Sequence, residues 1–182
     1  MHHFLTTNQT EPPFVSALAY SLMMALLLLS IYASIKYYKN PSFIKSMKIL
    51  QLCQLAVLYS WYVGFQLPLA NSLPLYHCRL AMFAVVFLPD KWPSKQYFAL
   101  LGASGAVFAL GYPVFDPYDF PHITSFSFLV GHYALLVNSL IYLMNHYDKT
   151  QLKKYMIVLY TFVLDAFLVG VNQVTGGNYG LL

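Results

Sequence analysis

The sequence is poor in charge. Ten Lys and Arg and six Asp and Glu make up only 9% of its 182 residues, where a soluble domain carries about 25%. With 59% of residues hydrophobic, too few polar side chains remain to cover a globule in water, so a bilayer must be the solvent. The net charge of +4 gives no reason to expect nucleic acid, because its sources are scattered through the chain. Cysteine is scarce too. Only Cys53 and Cys78 are present, which excludes a disulfide framework. No H-x-x-x-H or C-x-x-C spacing occurs, so His77, His122 and His132 assign no metal site, and no cofactor is called for. Met1 to Pro13 contains no Lys or Arg and no clean small-residue cleavage site. The first apolar stretch therefore reads as a retained anchor rather than a signal peptide.

Long apolar runs are what the chain has instead. A helix crossing the hydrocarbon core needs roughly 20 apolar residues. Candidate spans run over residues 14–35, 49–65, 73–88, 96–112, 123–144 and 155–173. The fold class is an all-α polytopic membrane bundle in one domain, residues 1–182, with six crossings and short loops; an open sheet is excluded because unpaired backbone groups are costly in lipid. Lys36, Lys39, Lys45, Lys48, Lys91, Lys95, Lys149, Lys153 and Lys154 all fall in alternate loops. Those loops are cytoplasmic by the positive-inside rule, and both termini then face out of a multi-pass protein of the cell membrane. The sixteen tyrosines suit aromatic belts at the interfaces. The one basic residue on the other side is Arg79.

Ionisable groups inside a span are functional hypotheses by default. Arg79, His132 and Asp165 qualify. His132 falls roughly 13 Å below the outer edge of its span and Asp165 roughly 12 Å below the end of its own. At that shared depth Asp165 could orient His132 as a general base. Thr161, Asp165 and Asn172 share one face of the last span, and Ser125, His132 and Ser139 share one face of the fifth. Two such stripes could line a polar cavity or simply bond to each other. Gly102, Gly105, Ala106 and Ala109 make a small-residue face that suits close helix packing. Cys78, flanked by His77 and Arg79, is the candidate nucleophile, since a nearby cation or histidine favours the thiolate; the alternative is a small buried hydrophobe. The level of Cys78 differs from that of His132 by roughly 7 Å on the helical rise. Cys53 reads as structural.

Leu73-Pro74-Leu75 with Cys78-Arg79, then Gly131-His132, then Asn172 with Gly177-Asn178-Tyr179, resemble in order and spacing the YwaF-like family of bacterial integral membrane proteins. That family is distantly similar to a eukaryotic transmembrane phospholipid acyltransferase with a catalytic Cys and His. The resemblance implies those roles for Cys78 and His132 and a site opening to the outer leaflet. It departs at position 76, where the family has a histidine and this chain has Tyr76 followed by His77. The family pattern also continues past Asn-Tyr into a further helix. The stretch from Asn172 to Gly180 then reads either as a short loop that re-enters the membrane or as the place where a seventh helix has been lost.

Two functions follow as expectations. One is a lipid acyltransferase or lipid-ester hydrolase: Cys78 attacks an acyl ester, His132 is the base oriented by Asp165, and Arg79, His77, Asn172 and Asn178 bind substrate. The other is a non-enzymatic transporter, lipid-binding protein or accessory subunit in which Asp165 and His132 form a midplane proton or substrate site. Membrane lipids are the partners in both, and assembly with a second copy or with another membrane subunit fits either.

Overall fold

The computed structural model describes residues 3–181. Among them every regular element is helical: α1 (Ala17–Tyr37), α2 (Pro41–Gly64), the short α3 (Leu69–Ser72), α4 (His77–Phe87), α5 (Pro93–Gly111), α6 (Ile123–His146), α7 (Lys154–Thr175) and a 3₁₀ turn, Tyr179–Leu181. Local chemistry sets several of the boundaries. Ser16 caps α1 by accepting from the Ala19 N–H. Asn40 accepts from Ser42 and Phe43 ahead of Pro41 at the first turn of α2. Pro93 opens α5, where its missing N–H has no cost. Gly176 ends α7 at φ 70°, a left-handed conformation that favours glycine.

α1, α6 and α7 are long and apolar enough to cross a membrane. α2 and α5 have comparable lengths of 24 and 19 residues, but Lys45, Lys48, Gln51 and Gln54 on the first, and Lys95 and Gln96 on the second, dilute their apolar character. The expected third span, 73–88, is the one that changes most. Its helix is only the 11 residues of α4, roughly 16 Å of rise against a hydrocarbon core of about 30 Å. Pro74 explains the late start: it disfavours a helical conformation at the residue before it, and Leu73 is extended at ψ 148°. Tyr76, the N-cap, is extended as well. Non-helical backbone at membrane depth is tolerated only where protein or a cavity surrounds it, and residues 72–80 are half-buried.

α6 is the axis of the bundle. Over half of its apolar window is buried (56%), against 17% for α1 and 6% for α7. Small residues let α4 and α5 close on it. A Cβ placed on Gly102 would stand 2.7 Å from Ser139 Oγ and 3.3 Å from the Cβ of Ala81, and one on Gly131 would stand 3.0 Å from Met82. The glycine and alanine face expected on α5 is thus the packing seam, with Ala99 and Ala106 fully buried. α7 lies at the edge of the bundle, and only Leu168 among its residues is buried.

The two ends are held separately. At one, Asn145 Nδ2 donates to the Tyr38 carbonyl (2.8 Å), the Asp148 N–H donates to Gln96 Oε1 (2.9 Å) and Tyr142 Oη donates to the Asp90 carbonyl (2.6 Å). Lys95, almost fully buried, bonds Asp90 Oδ1 and the Leu88 carbonyl, each at 2.7 Å. Burial works to raise the Asp90 carboxyl, but the Lys95 ammonium wins and holds it below its usual range. At the other end the N-terminal segment crosses the bundle: Trp61 Nε1 donates to Leu5 (3.1 Å) and the Thr10 N–H to Pro117 (2.8 Å).

Candidate functional site

α4 begins with His77, Cys78 and Arg79. Consecutive helical residues are turned about 100° from one another, so the three side chains reach three different helices. His77 meets α7: its Nε2 lies 3.2 Å from Asp165 Oδ1, with both side chains about one-third exposed or less (28% and 35%). Cys78 meets α5: a Cβ on Gly105 would stand 3.1 Å from its sulfur, so the missing side chain makes the space the thiol occupies. Arg79 meets α2: its Cζ lies 5.8 Å from the ring centre of Tyr59 and 5.7 Å from that of Tyr62, and its Nη2 donates to Tyr62 Oη at 3.3 Å. Arg79 Nη1 is buried with no partner, as is Tyr59 Oη. No side chain caps the start of α4, so the orphan N–H groups of its first turn stand beside the thiol.

His132 sits on α6 among Phe128 and its neighbours, with ring centres 4.4 Å apart. Its Nδ1 is 2.7 Å from the Phe128 carbonyl. A carbonyl only accepts, so Nδ1 carries the proton and Nε2 is left as a lone pair. Among the described residues no hydrogen bond joins His132 to Asp165 or to Cys78. The carboxylate expected to orient His132 holds His77 instead. The reason is the placement of α7 beside the start of α4 rather than against the middle of α6, a matter of helix order around the bundle that depth along the helices does not give.

The stripe on the last span is real as a face but spends itself on three different neighbours. Thr161 Oγ1 lies 3.0 Å from Tyr97 Oη, Asp165 meets His77, and Asn172 is taken by the backbone of Tyr179, accepting its N–H at 2.7 Å and donating to its carbonyl at 2.9 Å. Asn172 is therefore engaged within the chain at both ends of its amide, and Asn178 is exposed. On α6, Ser125 and Ser139 are fully buried and their hydroxyls have no hydrogen-bond partner. Cys53 is exposed on α2.

The family model whose description is TMEM164 family matches residues 4–182. The chain belongs to the TMEM164 family. This makes it a member of a membrane-protein family, and the match spans every residue of the site. Comparison with curated proteins and with solved structures gives no match. The YwaF-like resemblance and its acyl-transfer implication rest on the motifs quoted above.

Three groups in this TMEM164-family chain carry weight that the sequence reading did not give them. Tyr179 is fully buried. Its hydroxyl donates to the Leu69 carbonyl and accepts from the Leu73 N–H at 2.9 Å, and its ring packs edge-on to Tyr76 at 5.0 Å. The segment after α7 thus folds back and fixes the extended run that leads into α4. Second, Gln51 donates to Gln54 at 2.9 Å and Gln54 donates to Ser127, a buried polar chain between α2 and α6. The glutamines were legible as polar residues in a span, but their helix phase away from Cys53 was the signal to follow. Third, His122 is fully buried as the N-cap of α6. Its Nδ1 accepts from the Thr124 N–H (3.3 Å), its Nε2 donates to Thr6 (3.0 Å), and its ring stacks on Tyr118 at 4.1 Å. Both nitrogens are used, which leaves neither for a metal.

Proposed function

We propose that this TMEM164-family protein is a multi-pass enzyme of the cell membrane that transfers or hydrolyses acyl groups of membrane lipids, with Cys78 as nucleophile. The observation that carries the reading is the start of α4, where a half-buried thiol, uncapped first-turn N–H groups and a guanidinium with an unpartnered nitrogen fall within one helical turn. Helix-end N–H groups and an arginine are the donors an acyl-transfer oxyanion needs. In the first half-reaction the sulfur bonds to the ester carbonyl carbon, the ester C–O bond breaks, and the thiol proton passes through His132 Nε2 to the leaving alkoxide. In the second, a hydroxyl of the acceptor lipid or of water gives its proton to the same nitrogen and attacks the thioester, and the sulfur regains the proton. The Phe128 carbonyl supports this role by fixing the proton on Nδ1. With no direct bond between Cys78 and His132, the substrate oxygen stands between them. Asp165 enters through His77, which it holds immediately before the thiol.

The proposal keeps six crossings with both termini outside, with the α4 crossing completed by the extended run before it. The test is acyl-thioester trapping. Protein purified in native lipid and denatured without reductant is expected to carry a hydroxylamine-sensitive acyl adduct on Cys78 that disappears in Cys78→Ser and accumulates differently in His132→Ala. Full lipid-remodelling activity in both variants would sink the reading.

A second reading, a lipid-binding or accessory membrane subunit without catalysis, draws on one observation. A pocket of about 340 Å³ beside the end of α2 is lined by neither Cys78 nor His132. It predicts lipid binding that survives loss of the thiol.

A further inference from the structure

The lysine-bearing end of the bundle carries a cleft of its own. It lies between the first turns of α2, the loop from α4 to α5 and the last turns of α6. Its cavity of about 60 Å³ is roughly four times the ~15 Å³ that one water needs. That is room for one tetrahedral oxyanion and not for an acyl chain. Three basic side chains line it, Lys48, Lys95 and His146, against one carboxylate, Asp90. Lys95, with its side chain only 3% exposed, is spent on Asp90 Oδ1 and the Leu88 carbonyl. That ion pair cancels the one negative charge in the cleft. Lys48 is then left over: it is half-buried and has no hydrogen bond or ion pair among the described residues. His146 Nε2 stands 3.8 Å from Asp90 Oδ2, too far for a hydrogen bond. Asn138, buried at the inner side, gives one amide N–H to the Met47 carbonyl at 3.0 Å, and its second N–H has no partner. Asp90 and the asparagines would offer oxygens to a metal ion, but two ammonium groups exclude one by charge. Among the described residues no hydrogen bond joins α2 to the loop from α4 to α5, whereas Tyr142 Oη and Lys95 tie that loop to α6 and α5. An anion touching Lys48 and His146 would close this gap.

We propose that the cleft binds a single phosphate group, held by Lys48 Nζ, the His146 ring N–H and the second amide N–H of Asn138, with Lys95 keeping Asp90 from repelling it. The proposal goes beyond the acyl-transfer reading and does not depend on Cys78. The topology proposed above puts this end in the cytoplasm, where basic pockets between transmembrane helices take anionic head groups. One chemistry, a phosphate oxyanion, can come from an anionic phospholipid of the adjoining leaflet or from free phosphate, and the two arms of the test separate them.

The experiment reads the acetylation rate of each lysine by mass spectrometry, using the full chain in nanodiscs and a succinimidyl acetate reagent. In phosphatidylcholine discs, inorganic phosphate is titrated against chloride at constant ionic strength. In a second set, phosphatidylglycerol replaces part of the phosphatidylcholine. Lys48 is expected to be protected severalfold while Lys39 and Lys45, outside the cleft, are unchanged. His146→Gln and Asn138→Ala should each raise the half-protecting concentration severalfold. If Asn138→Ala does not fold, His146→Gln, at an exposed position, carries the test. Protection by phosphate alone identifies a free phosphate as the ligand. Protection by phosphatidylglycerol alone identifies a lipid head group, and protection by both, without addition, identifies one site open to either. Protection by neither overturns the proposal. So does protection shared equally by Lys39 and Lys45, which is diffuse surface charge, or protection of Lys48 unmoved by His146→Gln.

Discussion

His122 ties one residue's protonation to the start of the central helix. Neutral, it can accept from the Thr124 N–H and donate to Thr6 at once; protonated, it can only donate, and the cap is lost. Burial holds its pKa below the ordinary value, although the bond to the Thr6 carbonyl pulls the other way. A depressed pKa means the folded state releases the proton more readily than the unfolded one. The stability it contributes is therefore complete above the unfolded value of about 6.5 and is lost as pH falls below it. The unfolding midpoint in detergent is expected to drop between pH 7.5 and pH 5. His122→Asn should flatten that dependence, because asparagine caps without titrating. Asp90 does not intrude, since its lowered carboxyl titrates in a more acid range. A midpoint that is equally pH-sensitive in His122→Asn would show that the cap is not the cause. The sequence offered His122 only as a histidine without metal-ligand spacing, because its partners Thr6 and Trp61 come from distant parts of the chain.

At the scale of the helix, α7 and α5 are held by opposite means. α7 buries only Leu168, and its polar contacts with Tyr97, His77 and Tyr179 supply much of what docks it. Bonds of this kind in membrane bundles couple by about 0.6 kcal/mol on average. A double-mutant cycle of His77→Ala and Asp165→Ala should give a coupling of that order. It should also leave residues 154–175 faster in hydrogen exchange while α6 is unchanged. No coupling would mean that lipid alone holds α7 in place. α5 depends instead on having no side chain at its closest approaches. Gly102→Val meets Ser139 at 2.7 Å and Leu135 at 2.8 Å, fully buried residues, so an overpacking cost of about 1–3 kcal/mol is expected, read as a lower unfolding midpoint. The small-residue seam was legible because it is local: spacing along one helix places Gly102, Gly105 and Ala106 together. The Asp165 contact was not, because the same helical face could meet α4 or α6 with equal periodicity. The same limit hid the true start of α4. Pro74 announced a break, yet hydropathy ran on through Leu73 and Leu75 and extended the span.

Over the whole molecule the two ends differ in kind. One gathers the lysine-bearing loops, with Lys95 drawn inward onto Asp90 and Tyr142 at 5.2 Å beneath its ammonium. The other carries the crossing N-terminal segment, the fold-back of Tyr179 and the wall of the pocket. The proposed topology, which follows the positive-inside rule, puts the first in the cytoplasm and Arg79 and the pocket near the outer leaflet. In a background with Cys53 and Cys78 replaced by Ser, single cysteines at exposed positions read this out. Asn71→Cys and Asn178→Cys should react in intact cells with a membrane-impermeant maleimide, and Lys39→Cys, Lys91→Cys and Lys149→Cys only after permeabilisation. The pairing of these sites is what gives the experiment its force. Residues 39, 91 and 149 lie in the α1–α2, α4–α5 and α6–α7 loops, so agreement among them requires an even number of crossings between each pair. If Lys91→Cys and Lys149→Cys both label from outside while Lys39→Cys does not, α4 turns back within the membrane, as its 11 residues would permit. The chain would then cross five times and Asn178→Cys would be protected in intact cells, while the pocket at the end of α2 would still open to the outer leaflet.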